Sequence, residues 1–154
     1  MSKKLHLVGS AQKPGQGPPI SVILADGQLT MLRSLRLLLG GELDIEVLGE
    51  ARNLADAARQ VRAWRPQVLV LDLRLPGGSG AEMIDTLSRQ SPKMQIVVLT
   101  MDHSALFAKR VLDAGAIGFV LKDTADTELA QAIRRAAHGE PFTSPRVAQV
   151  TTNN

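Results

Sequence analysis

Four polar residues stand directly after short apolar runs of the chain, and their side chains could act on one phosphoryl group. Asp26 follows ISVILA, Asp72 follows VLVL, Thr100 follows IVVL and Lys122 follows IGFVL. Carboxylate oxygens are ligands for a hard cation. A hydroxyl and an ammonium can bind phosphoryl oxygens. A single aspartate at such a place often only turns the chain, but four polar residues after four apolar runs favour a shared site.

The apolar runs are predicted to be buried strands, and helical patterns separate them. The runs lie at residues 20–25, 45–49, 68–71, 96–99 and 117–121. Apolar residues with helical spacing lie within 31–39, 54–64 and 129–136, and weaker patterns cover 81–89 and 104–114. Alternation of strand and helix predicts an α/β domain with a parallel sheet and helices on both faces. Parallel strands bring their carboxyl ends to one edge, where ligands bind, so we expect the four polar residues to meet there.

Length and composition favour one domain. The chain has 154 residues, of which 44% are hydrophobic, enough for one core. Residues 1–19 are predicted to be a flexible extension, 20–140 the domain, and 141–154 a linker or tail. There is no cysteine, so we expect a cytoplasmic protein without disulfides or thiolate metal sites. No apolar run is long enough for a membrane span. The net charge is +3, and the basic residues are scattered among acidic ones, which is weak support for nucleic-acid binding.

The motifs of the chain resemble those of bacterial response-regulator receiver domains of the NarL/FixJ type, over about residues 20–145. The motifs are VILAD, LRLLLGGELDIEVLGEARN, RPQVLVLDLRLPGGSG, IVVLT and GAIGFVLKD. The resemblance implies a flavodoxin-like, doubly wound (βα)5 three-layer sandwich with parallel sheet order 2-1-3-4-5. Receiver domains are signalling switches, so the resemblance implies that the chain is not an enzyme.

The resemblance also implies roles for individual residues. It makes Asp72 the residue that a histidine kinase phosphorylates and Lys122 the residue that binds the phosphoryl group. Thr100 would be the switch hydroxyl and Phe119 the switch aromatic. A Mg²⁺ cofactor would be held by three groups, which are the carboxylates of Asp26 and Asp72 and the backbone carbonyl of Arg74. Other implied contacts are a homodimer through the fourth helix, fifth strand and fifth helix, and DNA binding only through a separate helix-turn-helix domain.

Several residues depart from the family pattern or modulate the site. Receivers usually have two adjacent acidic residues after the first strand, but here Gly27 follows Asp26. Loss of one anionic ligand is expected to weaken Mg²⁺ binding. Met101 is larger than the usual residue beside the switch hydroxyl and would either narrow access to Asp72 or pack harmlessly at the surface. Arg74 and Asp102 would flank the phosphoryl group and could pair across it.

Other functions fit the residues less well, although one alternative stays open. Because of Gly27, the domain could be a degenerate pseudo-receiver that binds proteins without being phosphorylated. A haloacid-dehalogenase-type phosphatase would need an aspartate at position 74, which is Arg74. The segment ADGQLT is a poor phosphate loop for a flavodoxin-like cofactor binder. The segment SPRVAQV resembles the linker that precedes a DNA-binding domain, so the chain is either a truncated regulator or a stand-alone receiver.

Overall fold

The structure, a computed structural model, describes residues 17–152, with side chains described as far as residue 148. Most of the predicted N-terminal extension, residues 1–16, lies outside this range. The strands are β1 (Ile20–Ala25), β2 (Ile45–Ala51), β3 (Val68–Leu71), β4 (Gln95–Thr100), β5 (Gly118–Leu121) and β6 (Phe142–Thr143). The helices are α1 (Leu29–Gly40), α2 (Leu54–Trp64), α3 (Glu82–Gln90), α4 (Ala105–Asp113), α5 (Ala125–Ala137) and α6 (Pro145–Thr152). A short 3₁₀ turn, Lys122–Thr124, joins β5 to α5.

The strands form one parallel sheet in the order β2-β1-β3-β4-β5-β6. The predicted order 2-1-3-4-5 is therefore confirmed, with one further strand beside β5. All residues of β3 and β5 are buried, as expected for strands that are covered by helices on both faces. Asp26 and Asp72 lie next to each other at the carboxyl edge of the sheet, because they follow the neighbouring strands β1 and β3.

Each face of the sheet has its own apolar core. Helices α1 and α5 pack on one face through residues such as Leu35 and Ile133. Helices α2, α3 and α4 pack on the other face, where Val61, Ile84 and Val111 contact the inward side chains of the strands. The α/β three-layer sandwich predicted from the alternating pattern is thus confirmed. Within residues 17–152, no helix is both long and apolar enough to span a membrane.

The chain after Pro141 differs from the predicted linker or tail, because it continues the fold. Phe142 and Thr143 pair with Gly118 and Phe119 of β5, and α6 follows at once. Val147 of α6 is buried in the same apolar cluster as Phe119. A two-residue strand has no periodicity that a sequence pattern could reveal. Only its pairing with β5, more than twenty residues earlier in the chain, identifies it.

Candidate functional site

The site is centred on the ammonium group of Lys122, which lies between two carboxylates. Its Nζ donates to Asp26 Oδ2 at 2.7 Å and to Asp72 Oδ2 at 2.6 Å. The three side chains are almost fully buried, with exposed fractions of 7%, 2% and 9% for Lys122, Asp26 and Asp72. The structure therefore brings three of the four polar residues that follow strands into direct contact.

Backbone turns at the strand ends orient the two carboxylates. Asp26 Oδ1 accepts from the backbone N–H of Gln28 at 2.8 Å, and Asp72 Oδ1 accepts from that of Arg74 at 2.9 Å. Each contact spans two residues and forms an Asx turn, the local structure that short acidic side chains favour. In both residues the second oxygen, Oδ2, is left for Lys122, so the two carboxylates present equivalent oxygens to one cation.

Electrostatic balance keeps Lys122 charged. Burial by itself lowers the pKa of the Lys122 ammonium, but the hydrogen bonds that it donates to Asp26 and Asp72, together with the negative charges of these carboxylates, more than offset this, so its pKa is raised. A charged lysine between two carboxylates leaves the three groups with one net negative charge. A cation can therefore still be attracted, while the lysine is already in place for an anion bound to Asp72.

Thr100, the fourth residue, lies beside the same opening but does not contact the other three directly in the hydrogen bonds described. It ends β4 and is 9% exposed. Its Oγ1 accepts from the backbone N–H of Asp102 at 3.0 Å, while Asp102 Oδ1 accepts from the N–H of Ser104. The hydroxyl hydrogen of Thr100 can still be donated to an incoming oxygen.

A cleft of about 440 Å³ opens beside Asp72 between the loops that follow β3 and β4. It is lined by Asp72, Leu73, Arg74, Gly80, Thr100, Met101, Asp102 and Phe107. Met101 is half exposed, at 52%, and stands at the rim of this cleft. Arg74 and Asp102 both line the cleft, but no ion pair joins them among the salt bridges of the described residues.

Gly27 has ordinary backbone dihedrals, but little space surrounds its α-carbon. A Cβ there would lie 2.9 Å from Cδ of Pro76 and 3.4 Å from its Cγ. The carbonyl of Gly27 accepts from Nε and Nη2 of Arg52, each at 3.3 Å. Sequence reasoning identified the missing carboxylate but neither neighbour, because Pro76 and Arg52 approach Gly27 only through the tertiary fold.

Phe119 is fully buried beneath the face formed by α4, β5 and α6. Its ring meets Phe107 edge to face, with centroids 6.0 Å apart and planes at 71°. Because Phe107 also lines the cleft, the pair of rings joins the predicted switch aromatic to the opening beside Asp72. Sequence reasoning missed Phe107. Its only signal was that it is one of three phenylalanines in the chain.

The donor set at the carboxyl edge suits a weak Mg²⁺ site. No cluster of three or more histidine or acidic side chains that could hold a metal occurs within the part of the chain that the structure describes. Mg²⁺ is commonly held by one or two carboxylates together with waters and substrate phosphate. Asp26 and Asp72 supply two carboxylates, and the predicted carbonyl ligand of Arg74 would be a third oxygen. The residues present therefore fit Mg²⁺, with fewer anionic ligands than three carboxylates would offer.

Comparison with known proteins identifies related domains. The family model of the response regulator receiver domain matches residues 22–134. The DNA-binding transcriptional activator DevR/DosR of Mycobacterium tuberculosis is 36% identical over 129 residues, which cover 84% of this chain and 59% of that protein. The chain spans about three fifths of the length of the curated relatives it matches.

Solved structures agree in fold with this chain. A LuxR-family two-component response regulator from Aurantimonas sp. has a TM-score of 0.82 and 30% identity, covering 88% of this chain and 96% of the other. The isolated REC domain of RcsB from Salmonella enterica serovar Typhimurium, solved in the presence of the phosphomimetic BeF3-, has a TM-score of 0.79 and 30% identity, covering 85% and 97%.

Proposed function

This chain belongs to the response regulator receiver domain family, and we propose that it acts by accepting a phosphoryl group on Asp72 from a histidine kinase. The observation that carries the proposal is the position of Lys122 Nζ, 2.6 Å from the Asp72 carboxylate and 2.7 Å from Asp26. On this proposal the chain is a signalling substrate of the kinase and not an enzyme. Action in the cytoplasm and an output through an attached DNA-binding domain belong to the same proposal.

The transfer joins a carboxylate oxygen of Asp72 to phosphorus. The bond between phosphorus and the kinase's imidazole nitrogen breaks, and the nitrogen keeps the electron pair. Asp72 and the phosphoryl group are both anionic, so nearby positive charge must stabilise the transition state. Lys122 supplies this charge, and the N–H of Arg74 holds the carboxylate in orientation. Mg²⁺, held by Asp26, Asp72 and the carbonyl of Arg74, would add further charge neutralisation when bound.

After transfer, the new phosphoryl oxygens compete for partners near the cleft. Lys122 gains a phosphoryl oxygen as a partner, and the Thr100 hydroxyl can donate to another. Movement of Thr100 towards the phosphoryl group would alter the space around the buried pair Phe119 and Phe107. A conformation that binds the phosphoryl group better is then populated more, and this shift would change the dimerisation face of α4, β5 and α5.

A second candidate function rests on Gly27. The ring of Pro76 occupies the space beside its α-carbon, and among residues 17–152 two carboxylates pair with Lys122. A pseudo-receiver would use the same fold to bind a protein partner, with Lys122 as a permanent structural cation. The two functions differ in whether Asp72 can be phosphorylated at all.

The deciding experiment is Mg²⁺-dependent phosphorylation with a small-molecule phosphodonor, followed by intact mass spectrometry. We expect slow and incomplete modification of the unmodified chain and none of Asp72→Asn. Asp26→Asn, which keeps the shape of a metal ligand but removes its charge, should be slower still. Absence of modification at high phosphodonor, in both the unmodified chain and Gly27→Asp, would favour the pseudo-receiver.

A further inference from the structure

The C-terminal segment, residues 142–148, is attached to the molecule through a buried serine. Ser144 is fully buried. Its Oγ accepts from the backbone N–H of Leu121 at 2.9 Å and donates to Glu128 Oε1, while its own N–H donates to the carbonyl of Phe119 at 2.9 Å. A buried hydroxyl that satisfies a backbone donor and a carboxylate is costly to withdraw, because both partners lose a hydrogen bond.

A second attachment lies on the surface, two residues further along the chain. Arg146 Nη1 lies 3.3 Å from Asp123 Oδ2 and 3.2 Å from His103 Nδ1, and His103 Nε2 lies 3.4 Å from the same Asp123 oxygen. His103 is in the loop that follows Thr100. The C-terminal segment therefore contacts the loop that follows Thr100 and the 3₁₀ turn that begins with Lys122.

Three consecutive residues connect the segment to the site. Lys122 donates hydrogen bonds to Asp26 and Asp72 of the site. Its neighbours contact the segment: the N–H of Leu121 donates to Ser144, and the carboxylate of Asp123 accepts from Arg146. A displacement of this tripeptide would therefore change the site and the segment together. The face that the segment touches includes α4 and β5, and Val147 packs in the cluster that contains Phe119.

We propose that the C-terminal segment is an intramolecular latch that occupies the α4–β5 face while Asp72 is unmodified and leaves it when Asp72 carries a phosphoryl group. The inference rests on the proposed function. The phosphoryl group draws Lys122 and the Thr100 loop towards itself, and His103 moves with that loop away from Asp123 and Arg146. Release exposes the edge of β5 and the side of α4, which a second copy of the chain can then contact.

Coupling of this kind must be reciprocal. If a phosphoryl group on Asp72 weakens docking of the segment, the docked segment must weaken the binding of a phosphoryl mimic by the same factor. The latch therefore predicts a gain in affinity when Ser144 is changed, although Ser144 touches none of the site residues Asp26, Asp72 or Lys122 in the hydrogen bonds described. A purely structural serine would give a loss or no change.

The test measures amide hydrogen exchange of the full chain with Mg²⁺, in the absence and presence of beryllofluoride. We expect beryllofluoride to increase exchange at the amides of Phe142 and Ser144. Ser144→Ala should raise exchange there before beryllofluoride is added and should bind beryllofluoride about five-fold or more tightly. Ser34→Ala, an exposed serine on α1, is the matched control and should change neither quantity.

Three outcomes decide between the hypotheses. In the first, beryllofluoride binds, as detected by fluorine NMR and as lost in Asp72→Asn, but hydrogen exchange at residues 142–148 is unchanged or lower. This result would overturn the latch and leave the proposed function standing. Absence of any binding would overturn the proposed function and the latch with it. If Ser144→Ala fails to fold, Arg146→Ala replaces it, with the exposed Arg33→Ala as its control, and unchanged affinity for beryllofluoride in Arg146→Ala would count against the latch.

Discussion

We expect both the stability of the protein and the proposed phosphoryl binding to depend on Lys122. Lys122→Met keeps an unbranched side chain but leaves two buried carboxylates without their cation. Removing one partner of a buried ion pair typically costs about 3 kcal/mol or more. We therefore expect the free energy of unfolding at neutral pH, measured by urea denaturation, to fall by about that amount. A fall of less than about 1 kcal/mol would mean that water already screens the three charges.

The pH dependence of this loss has a definite direction. The pKa of Lys122 is raised in the folded protein, so its pairing contributes fully below the pKa of an unfolded lysine, about 10.4. The contribution disappears as pH rises through the higher folded pKa. The difference in unfolding free energy between the unmodified chain and Lys122→Met should thus be constant from pH 7 to about 9.5 and decrease above about 10.4. A difference that already shrinks near pH 8 would contradict the raised pKa.

Two substitutions at Gly27 separate the effect of the absent carboxylate on Mg²⁺ affinity from the effect of the limited space on stability. Gly27→Ala adds only the Cβ that would meet Pro76 at 2.9 Å, and we expect it to lower stability by about 1 kcal/mol without affecting Mg²⁺ affinity. Gly27→Asp should carry the same steric cost but bind Mg²⁺ more tightly, because it adds an anionic oxygen ligand. Calorimetric titration and thermal unfolding of both variants separate the two effects. Equal Mg²⁺ affinity in the two variants would show that the side chain at 27 does not reach the cation.

At the scale of elements, Arg134 of α5 ties that helix to the turn between α1 and β2. It donates to both carboxylate oxygens of Asp44, at 2.7 and 3.0 Å, and also to Glu42. The hydrogen bond from Arg134 is the main reason that the pKa of Asp44 is lowered. All three side chains are partly exposed, so we expect Arg134→Gln to cost only about 1 kcal/mol of unfolding free energy.

The effect of Arg134→Gln on the free energy of unfolding should depend on pH. A carboxyl group with a lowered folded pKa stabilises the protein above its unfolded pKa, about 3.9, and this contribution is lost as pH falls through the folded pKa. The stability difference should therefore be largest near neutral pH and vanish in strong acid, as followed by urea denaturation across pH. Arg33→Gln, on the exposed side of α1, is the control and should give little difference at any pH.

For the whole molecule, the main question is which surface would form the proposed dimer. Leu106 on α4 and Leu37 on α1 are both exposed leucines, at 67% and 81%, on helices that pack on opposite faces of the sheet. If beryllofluoride induces a dimer through α4, β5 and α5, Leu106→Asp should prevent it and Leu37→Asp should not. Analytical ultracentrifugation with Mg²⁺ and beryllofluoride measures this. The opposite pattern would place the dimer on the α1 face.

The amino-acid sequence by itself predicted the architecture and the edge of the sheet at which Asp26, Asp72 and Lys122 meet. Apolar runs of four to six residues separated by helical spacing are local signals, and they predicted the five principal strands and helices α1 to α5. Because parallel strands share one carboxyl edge, the polar residues after the runs could be assigned to one site before any contact was known. Asp26, Asp72 and Lys122 do meet there.

The tertiary structure alone decided the contacts between groups that are distant in sequence. Three such contacts depend on how loops from different strands approach one another. Lys122 donates hydrogen bonds to both carboxylates, Pro76 fills the space beside Gly27, and the ring of Phe107 meets that of Phe119. Strand β6 is the clearest case, because two residues carry no pattern and are extended only through pairing with β5. A local pattern reports which face of an element is buried, whereas a contact between elements depends on the arrangement of the whole chain.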